Sequence, residues 1–313
     1  MSPDRSIPSV ASAHISTQTT LAPAIRGWRI YLEDQGLSPH TIKAFIGDLS
    51  LIASYLPPDR TLGGISTNDL NHFLAWMQHQ RGVPCSPKTL ARRITSIKAF
   101  FRWLHQNGVL LIDPAEKVLQ QSVISPLPQV LSPDEAAAVL EAADRHRRGP
   151  KPDTRSYALV LLLLTTGIKK SECLALSLNH IDFEASNGPL LFIRYASPQH
   201  RYKERKIALS EEWIAVFHEY KTQYNLSDSL FPWSQRRLEY LLEDLSEEAS
   251  LDKHLSFDMC RWTCAVSDWL SGMEPNKIRQ KLGVSKIQWR ELKMKIEKLA
   301  GKPETESTET ASL

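Results

Sequence analysis

A mainly helical protein of two domains, with one small antiparallel sheet in the second (α+β), is the fold class this sequence predicts, and three observations predict it. The chain has 313 residues, 42% of them hydrophobic, which is enough for two cores and too long for one compact unit to be the first expectation. Helix-start signals recur at Ser38-Pro39, at Ser66 with Asp69, at Ser86-Pro87, and at Ser132-Pro133 with Glu135. In each, a serine hydroxyl can take an orphan backbone N–H, while a proline fits the first helical position or an acid three residues on closes a capping box. The only convincing strands lie together between residues 180 and 210.

Residues 1–20 are polar and Ser/Thr/Pro-rich, without a charged start and apolar middle, and read as a loose tail. Residues 21–118 read as a helical domain of four or five helices: "IRGWRIYLEDQG", "TIKAFIGDLSLIASYL", "TNDLNHFLAWMQHQ", "PKTLARRITSIKAFFRWLHQNG" and a short piece near "PAEKV". Residues 119–130, with two prolines and no helical period, read as a linker. The second domain, 131–299, holds "HIDFEA" and "PLLFIRYA" around Asn187-Gly188, a dipeptide suited to a tight hairpin turn, and then "RKIALS". Helices are expected again from Glu211 to Leu299, and residues 300–313 read as a second tail.

Net charge is only +3, so any preference for a polyanion must come from how charge is distributed. Four cysteines without a Cys-x-x-Cys pair suit a reducing, cytoplasmic setting better than secretion. Cys260 and Cys264 are one helical turn apart, but no histidine joins them at ligand spacing, which favours packing over metal. The longest apolar run, Ala158 to Leu164, falls far short of the roughly 20 residues a bilayer span needs, so no membrane role is expected. No cofactor is implied.

Charge is concentrated on the helix from Ser86 to Gln106, which has five Lys or Arg residues and no acid. Lys88, Arg92, Lys98 and Arg102 fall within about 120° of arc, opposite Leu90, Ile94, Ile97, Phe100, Phe101 and Leu104, while Arg93 lands beside the apolar face. A solvated face usually mixes signs; this one does not, which favours phosphate contact. Basic residues in "DRHRRGPKPDTR", Asp144 to Arg155, read as an exposed loop. In "LLLLTTGIKKSECLALSL" two lysines, Lys169 and Lys170, follow a break at Gly167, either as the mouth of a buried helix or as a phosphate contact. After Gly283, Trp289, Leu292, Ile296 and Leu299 form one helical stripe among basic residues, able to fold back in cis or to meet another subunit.

"GLSPHTIKAFIGDLSLIASYL" and "SPKTLARRITSIKAFFRWLHQNGVLLIDPAEKV" resemble the core-binding domain of the tyrosine recombinases, the phage-integrase and Xer-type family. "LSPDEAAAVLEAA", "LLTTGIKKSECLALSLNHIDFE", "RYKERKIALS", "CRWTCAVSDWLSG" and "IRQKLGV" continue that resemblance in order through the second domain. It implies a SAM-like helical domain and a catalytic-type domain that hold double-stranded DNA between them. It also implies a tyrosine that attacks a phosphodiester, with two arginines stabilising the charge and a lysine and histidines moving protons. Matched by position, Arg261 takes the second arginine's place, Glu172 that of the family's acid, Lys169 that of the first arginine, and His200 that of the hairpin lysine, with Arg201 and Lys203 beside it. Asp258 and Val284 occupy the two histidine positions and Lys293 the tyrosine position; no tyrosine follows Tyr240. Lys169 keeps charge without the two-pronged geometry, and Arg261 is open to a structural salt bridge with Asp258 or Glu172.

The expected function is therefore DNA binding through Lys88, Arg92, Arg93, Lys98, Arg102, Arg201 and Lys203 without strand cleavage, alone or beside an active recombinase paralogue, with self-association through the last helix a further option. The alternatives are an active recombinase whose nucleophile is unconventional or comes from another subunit, and a protein-interaction scaffold.

Overall fold

The computed structural model describes residues 14–83, 85–119 and 126–301. Two compact units divide the chain, Met1–Ser125 and Pro126–Leu313. Residues 1–13 of the first expected tail, 120–125 of the linker and 302–313 of the second tail lie outside the described residues.

Four α-helices make up the described part of the first unit: α1 (Leu21–Asp34), α2 (Pro39–Tyr55), α3 (Thr67–His79) and α4 (Pro87–Gln106). Ser38 and Ser86 cap α2 and α4 by accepting from Thr41 and Thr89 N–H, each at 3.2 Å, and Ser66 with Asp69 forms a reciprocal box at α3. Trp28, Phe73, Phe100 and Phe101, each at most 1% exposed, are the centre of the core these helices enclose. Residues 14–20 of the expected tail are held against the first unit. Thr17 and Thr19 carbonyls accept from Gly63 and Leu62 N–H at 2.8 Å each, and Ile15 packs on the core, so backbone pairing recruits a polar segment with no helical signal of its own. The piece near "PAEKV" is a turn, held by Asp113 Oδ1 accepting from Ala115 N–H at 2.8 Å.

The second unit begins with α5 (Pro133–Arg148), capped by the Ser132–Glu135 box, and α6 (Arg155–Thr166). Every residue of α6 from Ser156 to Leu163 is buried, the pattern of a helix covered on all sides. Then come α7 (Lys170–Leu174), the strands β1 (Ile181–Asp182), β2 (Leu190–Ile193) and β3 (Arg205–Ala208), and the helices α8 (Glu211–Gln223), α9 (Gln235–Glu248), α10 (Phe257–Leu270), α11 (Pro275–Lys281) and α12 (Lys286–Ala300). The sheet is antiparallel in order β1-β2-β3, with Asp182 opposite Leu190 and Phe192 opposite Lys206. Strand β1 is shorter than expected because Asp182 Oδ1 accepts from Glu184 N–H at 3.1 Å and turns the chain away. The β1–β2 connection accordingly spans residues 183–189, with Gly188 at φ 93°, instead of a two-residue turn.

The stripe on α12 folds back in cis: Ile296 is fully buried, and Trp289, Leu292 and Leu299 pack with it against Ala265 and Val266 of α10. No helix among the described residues is long and apolar enough to cross a membrane.

Candidate functional site

The site is built where α6 ends. Gly167 takes a left-handed conformation (φ 60°), and a Cβ there would lie 3.1 Å from Leu282 and 3.2 Å from Cys264 Sγ, so the break that the sequence marks is also a close packing point. The chain then enters α7 through Lys169, whose N–H donates to Glu172 Oε2 at 2.8 Å.

Glu172 is the hub. It is 4% exposed and accepts both ends of the Arg205 guanidinium, Nη1 to Oε1 and Nη2 to Oε2, each at 2.9 Å, while the Tyr195 hydroxyl donates to Oε1. Burial alone would raise this carboxyl's pKa, but the Arg205 fork, the Lys169 N–H and the Tyr195 hydroxyl together outweigh burial and hold it at about 2. Arg205 also donates Nε to Lys281 O at 2.5 Å, which ties β3 to the end of α11. The following turn passes so close that a Cβ on Gly283 (φ 59°) would lie 2.6 Å from Arg205 Nη1.

Arg261 comes in from α10 and donates Nη1 to Gly167 O and Nη2 to Leu282 O, the latter at 2.7 Å. The salt bridge to Asp258 or Glu172 that its sequence position allows is replaced by these two carbonyls, because Glu172 is already taken by Arg205. Lys169 Nζ stands 4.0 Å from Glu172 Oε1, with its side chain 35% exposed. Burial holds the Lys169 ammonium below its usual pKa, and repulsion from Arg261, Arg205 and Lys203 adds to that against the pull of Glu172. Lys170 turns elsewhere and donates to Glu239 on α9 at 2.8 Å. The two lysines after Gly167 thus have separate tasks.

Lys169, Asp258 and Arg261 border two cavities. The smaller, of about 270 Å³, is closed by Val284, Glu291 and Leu292 and has no hydroxyl or thiol among its lining residues. The larger, of about 930 Å³, includes Lys170, Arg236 and Tyr240. Lys293, at the tyrosine position, borders neither: its ammonium lies 3.6 Å from Glu297 and 5.9 Å from the centroid of the Trp269 ring.

His200 and Arg201 are exposed on the turn Pro198–Lys203 between β2 and β3, away from both cavities, with the His200 ring 5.7 Å from that of Tyr195. On α4, Lys88 and Arg102 face solvent and Lys98 is half-buried, donating to Glu116 O at 3.3 Å. Arg92 is exposed but leans on Asp48 at 2.5 Å. Arg93 is a correction: it is 9% exposed, with Nη1 on Cys85 Sγ at 3.0 Å and Nε 3.5 Å from Asp48, and so is part of the interior. Asp48, itself 3% exposed, also accepts from Ser96 Oγ at 2.7 Å. The expected loop from Asp144 is corrected too. Arg145 to Arg148 form the last turn of α5, where Arg147 pairs with Glu219 at 2.5 Å and His146 with Glu248 at 2.7 Å, so most of that positive charge is neutralised within the fold. Cys260 and Cys264 are buried, and burial pushes both thiols up to about 12.

Arg205, Tyr195 and Asp48 are the site and support residues that sequence reading passed over. Arg205 and Tyr195 lie 33 and 23 positions from Glu172, with no local spacing to link them. Asp48 does leave a trace, as a single acid within the apolar run of α2.

Comparison with known proteins gives this arrangement a lineage. Residues 25–108 match the N-terminal SAM-like domain of phage integrases, and residues 129–289 match the phage integrase family. A tyrosine recombinase XerC of Rhodospirillum centenum is 31% identical over 182 residues, which cover 56% of this chain and 52% of that protein. The chain thus spans about half the length of that relative, whereas the alignment with a Listeria innocua XerD, 24% identical over 281 residues, covers 91% of it. Among solved structures, a lambda integrase dimer bound to a COC′ core site superposes with TM-score 0.71 at 13% identity, over 93% of this chain and 81% of that one. XerH bound to its difH substrate gives TM-score 0.63 at 18% identity, over 83% and 79%. At those identities the structural likeness speaks for the fold alone, but the family match covers half of the chain: the protein belongs to the phage integrase family, the tyrosine recombinases, and is Xer-like within it.

Proposed function

We propose that this chain binds double-stranded DNA on a recombinase scaffold and does not cut it. One observation carries the reading: the smaller of the two cavities beside Lys169 and Arg261, the one that Val284 borders, has no hydroxyl or thiol among its lining residues, and Lys293 stands at the tyrosine position with its charge turned to Glu297 and Trp269. Without a nucleophile the covalent route is lost. Asp258, in a histidine position, adds a charge that repels phosphate where the family needs a proton donor. DNA binding is supported by Lys88 and Arg102, which face solvent on a helix that carries no acid, and by relatives whose structures hold core-site DNA. Four free, scattered cysteines agree with a reducing cytoplasm, and an active paralogue acting on the same DNA remains part of this reading.

Duplex affinity is expected to fall with salt with a log–log slope of at least about −3, one unit for each of Lys88, Lys98 and Arg102. An affinity unchanged between low and high salt would remove the DNA-binding reading in favour of a protein-interaction scaffold.

A second reading rests on Tyr240, the one phenol bordering the larger cavity, whose hydroxyl accepts from Arg236 Nε at 2.7 Å. If strand cleavage occurs through this residue, a covalent adduct forms on a nicked suicide duplex and Tyr240→Phe abolishes it.

A further inference from the structure

A third cavity, of about 720 Å³, opens between β3 and α11 in the second unit. Its lining includes Tyr202, Lys203, Lys206, Lys277 and Arg279, and the only acid among its lining residues is Glu204. None of the residues matched to the family's catalytic set except Val284 contributes to it. The volume falls within the roughly 300–1,000 Å³ of a small-molecule site, enough for a nucleotide.

Tyr202 is 70% exposed at the rim, on the turn that joins β2 to β3, with Lys203 Nζ 5.2 Å from its ring centroid. This turn is held from several sides. Tyr195 N–H donates to Glu204 Oε1 at 2.9 Å, Arg205 Nη1 donates to Lys203 O at 3.3 Å, and the Tyr195 hydroxyl and the Arg205 guanidinium both anchor on buried Glu172. An exposed aromatic ring on a braced turn loses little freedom when a flat partner covers it. Glu204 is one negative charge against Lys203, Lys206, Lys277 and Arg279, so the lining is positive on balance. Arg279 is fixed at its far wall by Asn276 Oδ1 at 2.9 Å and Val284 O at 3.2 Å. An aromatic face beside several cations is the combination that takes a single unpaired nucleotide: the base stacks on the ring while the flanking phosphates meet lysine and arginine.

From this geometry we infer that the cavity between β3 and α11 receives one unstacked nucleotide of bound DNA, with Tyr202 as the stacking platform. The inference rests on the DNA-binding reading and narrows it: the substrate class is duplex DNA carrying an extrahelical or unpaired nucleotide. In an intact duplex the base must first be extruded, at a cost of a few kcal/mol; in a bulged duplex it is already free.

The test compares the full chain on two duplexes of the same sequence, one intact and one with a single bulged thymidine, by fluorescence anisotropy at one salt concentration. The bulged duplex is expected to bind about 5- to 150-fold more tightly, the range that stacking of one base on an aromatic side chain supplies. Tyr202→Ala should bring the ratio close to one, and Tyr202→Phe should keep it, since the ring and not the hydroxyl is used. Because Tyr202 is exposed, neither variant disturbs packing. Equal affinity of the wild type for both duplexes, or a ratio that survives in Tyr202→Ala, overturns the inference while leaving duplex binding in place. Binding to neither duplex overturns the DNA-binding reading as well.

Discussion

The basic face of α4 and the pocket around Lys169 and Arg261 carry the same kinds of side chain and differ in what satisfies them. On α4, Lys88 and Arg102 reach solvent without an acid on their helix. In the pocket, Arg205 is forked onto Glu172, Arg261 is bound to the carbonyls of Gly167 and Leu282, and Lys169 is half-buried beside Glu172. A cation without an internal partner can answer an external phosphate. One that already closes three segments of backbone serves the fold first. On the proposed function, this contrast is what lets the scaffold bind DNA through α4 without cutting it, since the arginines of the pocket are structural ties.

That contrast can be broken in several ways. The largest effect is expected from reversing the α4 charges: the combined variant Lys88→Glu, Lys98→Glu, Arg102→Glu should weaken duplex binding by about 100-fold or more and flatten the salt slope by about three units. An unaltered slope in a salt titration would place the DNA contact elsewhere. Next comes Glu172→Ala, which strands the Arg205 charge and should cost ~3–5 kcal/mol of stability in urea unfolding. Arg93→Met, removing a cation that faces inward, should cost ~1–3 kcal/mol and leave the salt slope as it was. A slope change in this variant would mean that Arg93 reaches DNA after all.

A pH effect follows from Glu172. Its folded pKa is about 2, below the ordinary 4.5, so the fold favours the ionised form. The stability this provides is complete above about 4.5 and is lost as pH falls toward 2. Melting temperature should therefore decline across that window more steeply in the wild type than in Glu172→Gln. The smallest effect is expected at Lys293, a half-buried member of an i,i+4 pair: Lys293→Ala should change stability by less than ~0.5 kcal/mol.

Much of the fold was legible in the sequence. The caps at Ser38, Ser66, Ser86 and Ser132 were legible because a cap is decided within three residues of itself. The positions of Lys169, Glu172 and Arg261 followed from motif order. The partners they choose did not: Arg205 meets Glu172 across 33 residues, and only the way β3 folds against α7 brings them together. Arg93 shows the same limit on a smaller scale. Its angle on the helix placed it at the edge of the apolar face, but not whether the neighbouring helix would offer an acid, and Asp48 on α2 does. The placement of residues 14–20 was equally hidden, because it depends on carbonyls pairing with Leu62 and Gly63 and on no side-chain pattern.

The most direct measurement of the central claim is a denaturing gel of the protein saturated on a nicked suicide duplex labelled on the strand that would be cut. The expected result is that all label runs as free, full-length strand after detergent, although a native gel of the same sample shows a salt-sensitive complex. Label migrating with the polypeptide after denaturation would contradict the account.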